Sequence, residues 1–280
     1  NIVLGHAVYP GNAYCASALR DDASDPSERD KLVAWFEQWS DQLSKFNGAA
    51  SFHSPDGLRW KAYAGAEPFI PEIRRKPIPP NYYSADGVQW LPCVEGTPAT
   101  ARYVGGPNDA SCISPDKLDG EYVHFQVMQR DVAEGKQVYQ RDLVAGRERI
   151  LAMHTSRDFV HWSHPRTIIE PAEDDPDYTQ FYGMGGFRYG NYWLGTLWMY
   201  YVHDQTMDLE LAVSRDGQQW NRPFPGRRLV PLGGDGEFDG GMIMSASAPL
   251  VVGDEIYIYY GGKDHRHDER GAAAIGLATL

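Results

Sequence analysis

Cysteine is scarce in this chain, and basic residues are outnumbered. Three cysteines among 280 residues, Cys15, Cys93 and Cys112, are odd in number and show no C-x-x-C spacing, which argues against a disulfide framework and against a zinc site. Lys and Arg total 26 against 38 Asp and Glu, a formal net charge of -12 with no basic run. The positive charge that neutralises phosphate is missing, so nucleic acid is not an expected partner. Long apolar runs are also lacking. The longest, near 192–202 and 243–252, reach about half the roughly 20 residues a spanning helix needs, and no membrane partner is expected. The chain starts at Asn1 without a leader pattern, which leaves a removed leader or a start inside a longer polypeptide.

Helical spacing occurs once, in 26–46, where large apolar residues recur on one face. What the chain does have is 29 Gly, 19 Pro and 12% aromatic residues, enough material for one large all-β core or two ordinary domains. A short pattern recurs four times: Ser54-Pro-Asp56-Gly57-Leu-Arg-Trp60, Ser84-Ala-Asp86-Gly87-Val-Gln-Trp90, Ser156-Arg-Asp158-Phe-Val-His-Trp162 and Ser214-Arg-Asp216-Gly217-Gln-Gln-Trp220. Asp-Gly between apolar segments marks a turn, because Gly accepts positive φ and the Asp side chain accepts from nearby amides. The Trp that follows opens a strand and fills the space between layers.

Around three copies the same order appears: strand, turn, aromatic strand, strand, S-x-D turn, strand. The aromatic strands are 122–127, 192–201 and 256–260, and 150–154 and 209–213 precede two of the S-x-D turns. A first meander fits 14–19, 32–36, 49–53 and the strand from Trp60, so the periodic stretch 26–46 is read as a strand over 32–36 with a helical excursion after it. Four-stranded antiparallel meanders repeating along one chain predict the blades of an all-β propeller in a single domain, residues 1–280. The segment 61–106 is a degenerate blade or a long insertion, and 131–147 a polar loop. The strand ending at Leu280 needs a partner: either the N-terminal segment closes the last blade or the natural chain is longer.

These residues resemble a known group. S-x-D-G-x-x-W resembles the Asp-box turn of sialidase-type propellers. The motifs Gln180-Phe-Tyr182-Gly183-Met184, Leu209 to Gly217, Gly236-Glu237-Phe-Asp239 and Gly253 to Gly262 are similar to five-bladed propeller glycoside hydrolases related to the invertase and arabinanase families. The likeness covers about 12–60 and 108–280. It implies a five-bladed fold, a carbohydrate substrate and an extracellular or periplasmic location, and its motifs speak to architecture more than to reaction.

Strand direction sorts the polar residues. In a meander of strands a to d, the start of a, the end of b and the start of c share one face, the mouth, and the a–b and c–d turns lie opposite. Asp56, Asp86, Asp158 and Asp216 are therefore turn residues, as are Asp21, Asp22, Asp116, Asp119 and Asp254. At the mouth stand Asp109, the run Asp174 to Tyr182, and Glu237 with Asp239; strand ends add Arg130, His203 and His265. Clustered carboxylates suit glycoside hydrolysis, in which one protonates the leaving oxygen and another acts as nucleophile or base. The expected catalytic set is Asp109, Glu237 and Asp239. Substrate contacts are expected from Arg130, Asp177, Gln180, Tyr182, Trp198, His203 and His265. No cofactor is expected, no metal pattern repeats, and a structural Ca²⁺ has no motif behind it. A phosphorylase, needing a basic pocket from residues such as Arg130, Arg188, Lys263 and Arg266, and a non-catalytic carbohydrate-binding propeller are the competing readings.

Overall fold

A computed structural model describes residues 2–4, 12–20, 22, 24–40, 43–63, 82–83, 91–92, 110–158 and 162–280. In chain order they form β1 (Ile2–Leu4), then blade A from β2 (Asn12–Arg20), β3 (Asp30–Ser40), β4 (Leu43–Ser54) and β5 (Lys61–Ala62). A two-stranded piece follows, β6 (Tyr82–Tyr83) with β7 (Leu91–Pro92). Blade B is β8 (Ser111–Ile113), β9 (Tyr122–Asp131), β10 (Arg147–Ser156) and β11 (Arg166–Ile169). Blade C is β12 (Thr179–Tyr189), β13 (Tyr192–Tyr201), β14 (Thr206–Ser214) and β15 (Arg228–Val230). Blade D has an inner strand in two pieces, β16 (Met242–Ser245) and β17 (Leu250–Val252), followed by β18 (Glu255–Lys263) and β19 (Ala273–Thr279).

The outer place in blade D is taken by β1, antiparallel to β19 with Ile2 opposite Gly276. The chain therefore closes a ring with its own N-terminal strand, the first of the two alternatives the sequence left. Blades C and D are formally one sheet only because β14 and β16 share a single parallel bridge, Met207 with Met242. The fold is an all-β propeller of four-stranded antiparallel blades. The helix allowed after residue 36 is absent: β3 runs to Ser40, and the helical element among the described residues is one short 3₁₀ turn at Pro26–Glu28, capped by Asp25. Cross-strand pairing along the whole length of β4 overrides the helical period.

Aromatic residues fill the seams. Between B and C, Phe125 meets Trp220 edge-on at 5.5 Å, and Gly186 leaves the room that the Phe125 ring takes. Between D and A, Trp60 meets Tyr259 at 5.7 Å, and the Tyr259 hydroxyl donates to the Gly57 carbonyl. The S-x-D turns repeat one geometry. Asp56 Oδ1 accepts from the Leu58 and Arg59 amides, Asp216 Oδ1 accepts from those of Gln218 and Gln219, and each following Trp donates from Nε1 to the carbonyl of the turn glycine, 3.1 Å in both. Gly57 and Gly217 carry φ of +69° and +70°, a conformation glycine adopts without strain. The copy at Ser84–Trp90 lies outside the described residues.

Candidate active site

Propeller geometry brings five loops to the mouth: 132–146 of blade B, 170–178 between B and C, 202–205 of C, 231–241 between C and D, and 264–272 of D. Two groups of side chains stand there. The first is centred on Arg149, which shares the seam-facing side of β10 with the core residues Leu151 and Met153 and is itself buried. Asp142, from the 132–146 loop, receives both arms of its guanidinium at 2.6 and 3.0 Å, and Gln180 Oε1 takes a third bond at 2.8 Å. The rings of Tyr182 and Tyr200 each lie 4.9 Å from the guanidinium carbon. Burial works against that charge, but the hydrogen bonds and charge of Asp142 outweigh it and hold Arg149 cationic.

His267 is clasped above this post, with Nε2 2.9 Å from the Tyr182 hydroxyl and Nδ1 3.4 Å from that of Tyr200. Tyr200 donates its proton to Gln205 Oε1 at 2.7 Å, so it can only accept from His267. Burial first, and then the charge of Asp142, push the Tyr200 phenol far above its ordinary range. Gln205 is fully buried with φ of +64°, and its carbonyl accepts the His267 amide. Arg141 grips Asp268 through two bonds, and Arg266 donates to the Asp204 carbonyl. Loops of three blades are thus tied together around one histidine.

The second group is a carboxylate cradle on the 231–241 loop. Asp239 is buried, and its Oδ2 accepts from the Tyr260 hydroxyl at 2.7 Å. Burial, followed by that bond and the negative charge behind it, keeps the Tyr260 phenol protonated. Gly233 and Gly262 press against Asp239, and a side chain at either would collide with it. Phe238 stacks on Tyr260 at 6.0 Å. Glu237 is exposed, with its Cβ against the same Gly233, so the two acids flank one glycine.

The residues expected from the sequence divide accordingly. Asp109 lies outside the described residues. Glu237 and Asp239 share the cradle; Gln180 and Tyr182 belong to the Arg149 group, and Asp177 lines a shallow recess beside Asp142 and Gln180. His203 packs on Tyr178 with centroids 4.0 Å apart, and His265 Nδ1 sits 2.9 Å from Asp264. One expected contact is corrected. Trp198 is buried in the C–D seam against Gly183 with Nε1 on Ser245 Oγ at 2.8 Å, so it is a packing residue with no face for a sugar. Arg130 is exposed at the end of β9, with Nε on Glu148 and one terminal nitrogen on Glu170. Asp142, Arg149, Tyr200 and His267 are additions. Arg149 had a readable signal, a charge in the apolar alternation of a seam-facing strand, whereas Asp142 stands in a polar loop that gave none. Among the described residues no cluster of three or more His, Cys, Asp or Glu could hold a metal ion.

No protein-family model matches the sequence, and no curated protein matches it. Solved structures do resemble the fold. An N-acetylgalactosamine deacetylase from F. plautii in complex with blood group B trisaccharide aligns over 96% of this chain and 89% of its own, with TM-score 0.62 and 14% identity. A thermostable family-43 glycoside hydrolase aligns over 98% and 92%, with TM-score 0.59 and 12% identity. A member of the GH130 family of mannoside phosphorylases, described as containing glycoside hydrolases that target β-1,2 mannosidic linkages in Candida mannan, aligns over 95% and 84%, with TM-score 0.56 and 12% identity.

Proposed function

We propose that the protein is a glycoside hydrolase that cleaves an oligo- or polysaccharide at the propeller mouth, with Asp239 and Glu237 in the catalytic set and Asp109 as their third member. The observation that carries this reading is the cradle. A buried carboxylate is costly unless its partners are fixed, and Asp239 has one oxygen on Tyr260 and the other beside glycines that leave it room. Tyr260, kept protonated, donates to Asp239 in its carboxylate form, which acts as nucleophile or as base on water. Glu237, open to solvent two residues away, protonates the leaving oxygen. His267, partly exposed above the Arg149 post, offers an imidazole edge for a sugar hydroxyl, and buried Tyr182 and Gln180 hold that post in place.

Hydrolysis is favoured over phosphorolysis by the pairing of most basic residues at the mouth, Arg266 being the exception with a backbone carbonyl as partner. Arg130, Lys136, Arg141 and Arg147 at the mouth are each already in an ion pair with a carboxylate. Phosphate would have to displace those partners. The reading carries an extracellular or periplasmic location with it, where polymeric glycans are met.

Reducing-end release from a panel of plant, algal and microbial polysaccharides tests it. Asp239→Asn and Glu237→Gln should each lower turnover by about 10²–10⁴-fold, the range of general acid–base catalysis, with the melting temperature nearly unchanged. Full turnover in both variants removes the assignment, and phosphate-dependent release of a sugar phosphate selects the phosphorylase.

A further inference from the structure

The face opposite the mouth holds a recess that the proposed chemistry does not use. A cleft of about 350 Å³ opens along the B–C seam, within the size range of small-ligand pockets. Its lining joins two apolar side chains, Leu118 and Met153, to Asp119, Glu121, Arg166 and Gln218. Glu121 is held ionised by hydrogen bonds from Thr155 and Arg157, and Arg166 donates to Gln218 Oε1 at 3.0 Å. Asp119 and Glu121 are balanced by Arg166 and by Arg157 on Glu121, with His164 also on the lining, so the charges favour neither a phosphate nor a bare cation. Acceptors and donors side by side around apolar carbon suit an uncharged polyol, whose hydroxyls donate to the carboxylates and accept from Arg166 and Gln218.

The cleft also has an aromatic extension. Tyr189 and Tyr192 face each other across the β12–β13 hairpin and remain 48% and 43% exposed, although the other aromatic residues within the strands of blade C are buried, Tyr201 half so. The turn 215–218 links the two features: Arg215 lies over the Tyr192 ring at 5.2 Å, and Gln218 lines the cleft. At Gly217 that turn also touches Leu118 and Trp193. Pocket and platform are therefore continuous along one loop.

We infer that this far-face strip is a second carbohydrate-binding site, which holds a neutral segment of a glycan chain without cleaving it. The choice of a sugar as ligand rests on the glycosidase reading; the cleft and its charge balance do not.

The test uses the full chain carrying Asp239→Asn, run through native gels cast with arabinan, mannan or rhamnogalacturonan. At least one polysaccharide should retard it. Adding Tyr192→Ala, or Asp119→Gly at a position whose φ of +50° glycine accepts, should weaken retardation about tenfold, and Tyr192→Phe should preserve it. In otherwise wild-type protein Tyr192→Ala should leave turnover of short oligosaccharides unchanged. The site is overturned if no polysaccharide retards the protein, or if the far-face variants are retarded like their parent. Retardation that depends on Tyr192, when the wild-type protein releases no reducing ends, keeps this site and removes the glycosidase; wild-type turnover that is lost in Asp239→Asn, with retardation indifferent to Tyr192, does the reverse.

Discussion

Arg149 is the residue whose neighbours have most to lose. Its charge is compensated by Asp142 inside a seam from which water is excluded, so Arg149→Leu strands a buried carboxylate. The loss should be about 3–5 kcal/mol in urea unfolding, and Arg149→Lys should not restore it, because an ammonium cannot reproduce the two-armed grip. The double variant Arg149→Leu with Asp142→Leu should recover much of the stability while still disturbing His267, whose clasp stands on the same post. If the double variant is no more stable than the single, the ion pair is not what holds this seam. Single side chains were also the least legible level of the sequence. Strand direction put Glu237, Asp239, Gln180 and Tyr182 at the mouth, because a face follows from counting strands. It could not tell that the indole of Trp198 points into a seam or that Arg130 is already engaged, since both depend on three-dimensional neighbours far away in the chain.

At the level of elements, the S-x-D turns were legible because their chemistry is local. Ser, Asp and Gly within four residues supply acceptor, anchor and positive φ, and Asp56 and Asp216 take up the same bonds in blades A and C. Replacing Asp216 by Ala leaves two amides without their acceptor and should cost about 1–2 kcal/mol. The amides of Gln219 and Gln218 hold its carboxyl below the ordinary value of 3.8. A depressed folded-state pKa contributes stability that is present above the unfolded value and lost as pH falls through the folded one. Asp216 should therefore stabilise at neutral pH and cease to do so on acidification below about pH 4, so the gap between wild type and Asp216→Ala in chemical denaturation should shrink there. Asp30 and Asp208, buried and raised, act with the opposite sign in both proteins and cancel in that comparison. Inter-blade spacing is the other property of elements. Gly186→Ala would drive a methyl into the Phe125 ring and should cost about 1–3 kcal/mol by overpacking. The stretch 26–46 misled because its apolar residues fit a helical period, whereas β3 answers to its two neighbouring strands.

The whole molecule depends on one short strand. β1 contributes three residues, and Leu4 is completely buried among Phe52, Tyr259 and Ile275, side chains of the first and last blades. Leu4→Ala should lower stability by about 2–5 kcal/mol, more than a truncation at an ordinary strand end, and calorimetry should show the loss spread over the full transition if the ring melts as one unit. A separate early transition from blade D would contradict that. Closure by the N-terminal segment was one of two alternatives left open by the unpaired look of the last strand, and β1 takes that place; the composition of the 61–106 segment was too irregular to fix a blade there. Closure also imposes an order on biosynthesis. Ile2 pairs with Gly276, so the first described strand to leave the ribosome waits for the last before it finds its place. Until then the nascent chain carries an unpaired β1 and an open edge on the incoming blade, a contact of very high sequence separation that predicts slow final folding and a window in which two chains could exchange their first strands.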